Sequence, residues 1–350
     1  MSTAGAFAPD AARHQPAPDT NTLLEVKDLT VEYITERGPV AACNELSFTL
    51  RRGEILGVAG ESGSGKSTLI TALTRLQRPP AVTTGGSILY HRRSQPTVDL
   101  AAMTDKQLRH LRWRELAIVL QSAMAAWNPV MRLDAQFFDV IREHNRGMSR
   151  AAAADRTAQL LRMVGISPDR GRSYPHELSG GMRQRALIAL ALACDPELVV
   201  MDEPTTAVDV VMQRQILAQI LRLREELGFA VVYVTHDLSL LMELADRIAI
   251  MYAGRIVEIG APQDLYADPK HPYTQGLRDA FPPLRAPLTH LTGIPGSPPD
   301  LRNPPAGCAF HPRCGRRIDA CDRTRPALQL LPTSGDRQVA CHLHDLESRS

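Results

Sequence analysis

No stretch of this 350-residue chain is apolar for long enough to cross a bilayer. The longest apolar run, residues 186–194, has nine residues, against the roughly 20 that a spanning helix needs. Any membrane role is therefore expected to be peripheral. A basic excess is also missing: 40 Lys and Arg stand against 38 Asp and Glu, which argues against a general nucleic-acid surface. The first residues show no basic segment followed by an apolar one, so no export signal is read there. Cysteine is scarce, six in all, and no two lie within the short C-x2–4-C spacing that zinc sites favour.

What the chain does have is one dense motif. Gly60-Glu61-Ser62-Gly63-Ser64-Gly65-Lys66-Ser67-Thr68 reads G-x-x-x-x-G-K-S, the phosphate-binding P-loop pattern. An apolar run of strand length, residues 54–59, precedes it, and residues 68–76 follow with helical spacing. Gly63 and Gly65 let the backbone turn tightly and approach a phosphate with no Cβ in the way. Successive N–H groups and the helix N-terminus then face an anion. Lys66 brings a point charge to the β/γ oxygens, and the Ser67 hydroxyl is placed for Mg²⁺. Nucleotide chemistry without an export signal points to the cytosol, where structural disulfides are rare.

Residues 1–21 are rich in Ala, Pro, Asp and Thr with little apolar pattern, and are expected to be a disordered tail. Leu24, Val26, Leu29, Val31 and Tyr33 alternate as a strand, and residues 40–50 supply a second, together a small antiparallel sheet ahead of the P-loop. Tyr33 suits either an adenine-stacking aromatic or a half-exposed strand aromatic. Residues 117–120 form a short buried strand ending at Gln121, where a polar side chain meets ligands in α/β folds. Gln121 is thus a candidate contact to Mg²⁺ or water. Residues 131–165 read as helices, one of them capped by Ser149 and stopped by Gly165, and make a separate helical subdomain.

Ser179, Gly180, Gly181 and Met182 open another strongly helical run. That is a second helix N-terminus suited to an anion. One nucleotide does not need two such cradles in one chain, so this one is expected to serve a nucleotide held by another subunit. Residues 198–201 are a buried strand ending in Asp202 and Glu203. Asp202 fits the carboxylate that holds Mg²⁺ through water, and Glu203 is free to orient or deprotonate an attacking water. Asp209 follows in a turn. Residues 230–235 form another parallel strand ending at His236, expected at the same sheet edge as Gln121 and in reach of a γ-phosphate.

Prolines concentrate late: 14 of 26 lie between residues 262 and 332. The composition predicts an extended accessory region rather than more sheet. Cys308, Cys314, Cys321 and Cys341 sit in the last 43 residues. Four thiols in a segment too small to hold a core suggest a metal staple. Zinc and 4Fe–4S both suit four thiols, with His311, His342 or His344 as substitute zinc ligands, and free thiols are the remaining reading. Cys43 and Cys194 lie in apolar runs as ordinary small residues.

These motifs in this order resemble the nucleotide-binding subunit of ATP-binding cassette (ABC) transporters over about residues 23–260, with LSGGMRQR the most discriminating. The resemblance implies an α/β P-loop cassette: a RecA-like core, an antiparallel β subdomain, an α-helical subdomain at about 122–190 and, over 261–350, a small irregular metal-binding accessory region. It also implies ATPase activity. Tyr33 would be the adenine-stacking aromatic and Gly60 to Thr68 Walker A. Gln121 would be the Q-loop glutamine, Ser179 to Met182 the signature and Asp202 Walker B. Glu203 would be the catalytic glutamate, Asp209 the D-loop aspartate and His236 the switch histidine. Lys66 would share in catalysis, and Ser67, Gln121 and Asp202 would hold Mg²⁺.

The segment His271-Pro272-Tyr273-Thr274 resembles the mark of the oligopeptide/dipeptide importer branch, and there the four cysteines imply a 4Fe–4S cluster, with zinc as the alternative. The implied partners are a second, related ATPase subunit, two transmembrane permease subunits and an extracytoplasmic solute-binding protein, with the chain at the cytoplasmic face of the inner membrane. Nickel chelates or oligosaccharides are the alternative cargo, and a soluble ATPase of DNA repair or translation the more distant reading. Two departures from the branch pattern stand out: Ser122-Ala123-Met124 where Asp-Pro-Met is usual, and Val208 where Leu is usual.

Overall fold

The computed structural model describes residues 20–121, 126–205, 208–280, 293–332 and 335–345. Most of the tail expected to be disordered, and the departing segment Ser122 to Met124, lie outside the described residues.

Two sheets share the work. The first is antiparallel, in the order β2-β1-β4-β5, with β1 (Thr22–Thr35), β2 (Gly38–Arg51), β4 (Ala81–Tyr90) and β5 (Val98–Asp99). The alternation that predicts β1 buries Leu24, Val26, Leu29 and Val31. The second sheet carries five parallel strands in the order β9-β3-β8-β7-β6. They are β3 (Ile55–Ala59), β6 (Leu116–Val119), β7 (Leu198–Asp202), β8 (Ala230–Val234) and β9 (Arg247–Tyr252). Both faces are covered, which is why these strands read as unbroken apolar runs. Along β3, Ile55 and Ala59 enter one core while Leu56 and Val58 enter the other.

Because β3, β6, β7 and β8 run parallel, their C-terminal ends lie along one edge. That single fact delivers the loop after Ala59, Gln121, Asp202 and His236 to one place. The first core holds the helices of the predicted helical block, α3 (Leu133–His144) and α4 (Arg150–Met163). Ser149 caps α4 by accepting from the Ala152 N–H, and Gly165 follows it at φ 66°.

The proline-rich C-terminal region departs from expectation. Strand β10 (Arg255–Gly260) pairs antiparallel with β9, and two short strands extend the main sheet beyond it: β12 (Gln338–Val339) on β10 and β11 (Gln329–Leu330) on β12. The region is thus partly an extension of the sheet. A buried ion pair marks the join. Arg337 donates to Glu258 at 2.6 Å, with the two side chains 3% and 0% exposed. Glu258 also accepts the Lys270 and His271 N–H groups, each at 2.9 Å, so its lone pairs are used.

Removing one member of such a pair strands the other in a dry interior. Arg337→Met is expected to cost about 3 kcal/mol, the lower end for a broken buried pair because two backbone N–H groups still hold Glu258. Urea unfolding of the variant against the parent chain checks this.

Candidate nucleotide site

The loop after β3 is shaped by backbone crowding. Gly60 sits at φ 154° and Gly65 at φ 101°. A Cβ on Gly60 would lie 2.2 Å from the Met251 carbonyl oxygen, and one on Gly65 2.1 Å from that of Ala42. Both obstacles are main chain and cannot swing away, so side chains are excluded at these two positions. Helix α1 (Lys66–Leu73) then begins with no side-chain cap, leaving its first N–H groups to face an anion.

Lys66 is buried, and its Nζ donates to the carbonyls of Gly60 at 2.7 Å and Glu61 at 2.9 Å. Burial lowers its pKa, against the opposing pull of Glu203, Asp202 and Glu61. Tyr33 reaches the same place from the antiparallel sheet, its hydroxyl 3.2 Å from Thr68 Oγ1. Tyr33, Lys66, Ser67, Glu203 and His236 share the wall of one cavity of about 490 Å³.

Glu203 is the meeting point of the far side. It sits at φ 42° just past β7, and its N–H donates to the Val234 carbonyl at 2.9 Å. Gln121 Nε2 donates to one carboxylate oxygen at 3.0 Å, and His236 Nδ1 lies 3.0 Å from the other. Gln121 and His236, each placed by the sequence near metal or phosphate, here converge on this carboxylate. Asp202 stands next to it. Burial pushes the Asp202 carboxyl up, Glu203 adds to that rise, and Lys66 opposes it. Two carboxylates facing one lysine leave negative charge that a divalent cation relieves, and the hard oxygens of Ser67, Asp202 and Gln121 suit Mg²⁺.

The second cradle stands apart. Ser179 caps helix α5 (Gly180–Ala191) by accepting from the Met182 N–H at 3.3 Å. Ser179 and Gly180 are exposed, and none of residues 179–182 lines the 490 Å³ cavity. Asp209 caps helix α6 (Val210–Leu227), accepting from the Met212 N–H at 2.9 Å. The Met212 side chain fills the space over Gly181, so the two helix starts touch.

In the C-terminal region, the four thiols lie close enough that Cys308, Cys314 and Cys321 all act electrostatically on Cys341. Burial, the larger effect, pushes Cys341 up to about 12 and raises Cys308. Among the described residues no group of three or more His, Cys, Asp or Glu side chains is placed to hold a metal ion. The 4Fe–4S cluster expected on Cys308, Cys314, Cys321 and Cys341, and zinc as its alternative, are therefore not supported. The imidazoles of His311, His342 and His344 face backbone carbonyls instead.

Three residues that sequence reasoning did not assign reach the site from this same region. Leu301 lies on the cavity wall. The Tyr273 hydroxyl accepts the Glu61 N–H at 2.8 Å, and Arg313 donates to both Glu61 carboxylate oxygens at 2.7 and 3.0 Å. Tyr273 lies in a segment the sequence singles out. Arg313 is marked only by standing beside Cys314, and nothing local marks Leu301.

Comparison with known proteins fits this geometry. A family profile described as "ABC transporter" matches residues 43–206, and one described as "Oligopeptide/dipeptide transporter, C-terminal region" matches residues 257–321. The chain is 37% identical to the dipeptide transport ATP-binding protein DppD of Caldanaerobacter subterraneus, over 92% of this chain and 97% of that one. It is 41% identical to the oligopeptide transport ATP-binding protein OppD of Salmonella typhimurium, over 92% and 95%. Among solved structures, a dimeric bacterial ABC transporter cassette superposes with a TM-score of 0.61 at 26% identity, over 69% of this chain and 99% of its own. A post-hydrolysis dimeric cassette bound to ADP and Pi superposes with a TM-score of 0.60.

The loop itself supplies a direct check. Gly65→Ala forces the loop off the Ala42 carbonyl, and a fluorescent ATP analogue titrated into the purified variant should bind at least about tenfold more weakly, ~1.4 kcal/mol.

Proposed function

From its place in the ABC transporter family, to which this chain belongs, we propose that it is the ATP-hydrolysing subunit of an importer for oligopeptides or dipeptides. The observation that carries the hydrolytic half is Glu203, held by Gln121 on one oxygen and His236 on the other beside a phosphate cradle. A carboxylate oriented in this way serves an attacking water as base or positioner. Lys66 and the first N–H groups of α1 take the charge of the transferring phosphoryl. Ser67, Asp202 and Gln121 are assigned to Mg²⁺, which when bound neutralises phosphate charge. Tyr33 is assigned to the adenine and His236 to sensing the γ-phosphate.

The signature, Ser179 to Met182, with Ser179 and Gly180 exposed, is assigned to the nucleotide of a second ATPase subunit, with Asp209 beside it. That partner is taken to be a different, related chain, so that each ATP is closed between one chain's loop and the other's signature. Two permease subunits and a solute-binding protein complete the importer. Among the described residues no helix is long and apolar enough to cross a membrane, and we place the chain peripherally, at the cytoplasmic face. Peptide cargo is favoured over nickel chelates or oligosaccharides because the relatives compared above are named for peptides. The match to a transporter C-terminal region weighs against a soluble role in DNA repair or translation.

Glu203→Gln keeps the shape of the site and removes the base. ATP binding should be retained while turnover falls about 10²- to 10⁴-fold, read by analogue binding and phosphate release on one preparation. Normal turnover would remove Glu203 from the mechanism. For cargo, the assembled transporter should hydrolyse ATP faster with peptide-loaded solute-binding protein than with the same protein offered nickel chelates or oligosaccharides.

A further inference from the structure

We propose that Arg313 is a positioning residue for the nucleotide site: through Glu61 it fixes the part of the phosphate loop on which Lys66 rests. The inference deepens the ATPase reading above and depends on it.

Glu61 is held from three directions. Its N–H donates to the Tyr273 hydroxyl at 2.8 Å. Its carbonyl accepts from Lys66 Nζ at 2.9 Å and from the Ser64 N–H at 3.2 Å. Its carboxylate takes the two-pronged grip of Arg313. Two of these three holds come from beyond residue 270, outside the cassette proper. A loop residue whose carbonyl supports the phosphate-binding lysine is thus set by a segment more than 200 residues downstream.

Arg313 is itself fixed. Its side chain is 6% exposed. The Nε donates to the Pro295 carbonyl at 2.7 Å, and Nη1 also reaches the Tyr252 hydroxyl at 3.3 Å. The guanidinium lies 5.8 Å from the ring centroids of both Tyr252 and Phe310. Those two rings and Tyr273 pack together, with centroids 4.6 to 5.4 Å apart. The Glu61 carboxylate is the main cause that raises the Arg313 pKa.

The base of this support is rigid for a local reason. His271 is fully buried and kept neutral, with its pKa lowered to about 3 by burial. Its Nδ1 accepts the Tyr273 N–H at 3.0 Å, closing the first turn of helix α9 (Pro272–Ala280). Tyr273 is therefore aimed by His271 and Pro272 together. A planar fork set over aromatic rings and aimed at a carboxylate is a use of arginine that lysine cannot copy. A salt bridge placed only for stability would need no contact with the phosphate loop; this one ends on the residue that carries Lys66.

The test is a double-mutant cycle on the full chain assembled with its permease subunits, with ATP as the probe. Arg313→Met keeps the aliphatic stem and removes the fork. Glu61→Gln keeps the shape of the loop and removes the acceptor charge, and it leaves the C-terminal region untouched should Arg313→Met fold poorly. Each is expected to lower kcat/KM for ATP about tenfold, and the double variant no further than either alone. Arg313→Lys should fall between Arg313→Met and the parent. Parent-like kcat/KM in Arg313→Met or in Glu61→Gln overturns the inference, and so do single effects that multiply in the double variant. A parent complex that hydrolyses no ATP overturns the underlying reading as well; an active parent with unaffected variants overturns the inference alone.

Discussion

Main chain pressed against main chain around residues 60–65 is the constraint from which the rest follows. The Ala42 carbonyl comes from the antiparallel sheet and the Met251 carbonyl from the end of a central strand, and each fills the space where a Cβ would stand. Two sheets therefore meet at one loop, and glycine alone passes between them. A side chain here would push the sheets apart as well as spoil an anion cradle. The same crowding places Tyr33, on the sheet that holds Ala42, within hydrogen-bond distance of Thr68 on the first turn of α1. Fold and phosphate site are one packing problem in this molecule.

Charge is handled with similar economy. Four strand ends bring one lysine, two adjacent carboxylates, an amide and an imidazole to one edge. The Asp202 carboxyl is raised by burial and by Glu203, while Lys66 is lowered by burial against the opposing pull of both acids. Lys66 and Asp202 are thus held away from their solution behaviour, chiefly by burial, the usual condition of groups that act on a substrate. The left-handed backbone at Glu203 turns its carboxylate back between β6 and β8, where Gln121 and His236 reach its two oxygens. A non-glycine residue in that conformation carries a cost of about 1 kcal/mol or more that the surroundings must offset.

Most of this edge was legible in the amino-acid order. Apolar runs at residues 54–59, 117–120, 198–201 and 230–235 are short, unbroken and followed by polar groups, a pattern particular to buried parallel strands. The helix starts at Ser149 and Ser179 were legible because capping is a local affair. What stayed hidden was convergence. Gln121, Glu203 and His236 are each placed by their own strand, and no local rule says that two of them meet on the third. Strands β11 and β12, two residues each, are too short to show an alternation. Arg313 and Glu61 are 252 residues apart, with neither period nor motif to link them. The four cysteines misled in the opposite sense: their number in a segment too small to hold a core suggested a ligand set, while the structure buries Cys321 and Cys341, half-buries Cys308 and Cys314 and ties the segment together with backbone hydrogen bonds.

The distance between Glu61 and Arg313 also has a meaning in time. A ribosome makes the phosphate loop early and its brace late. At about 5–20 residues per second, 252 residues take roughly 13–50 s to synthesise. Through that interval the nascent cassette can build its central strands, but Glu61 lacks its arginine. Glu258 likewise waits for Arg337, and the β10 edge stays open until β12 is made. The nucleotide site is thus completed among the last acts of translation, so a chain cut short before residue 313 would carry every recognisable motif of the cassette and still lack a finished loop.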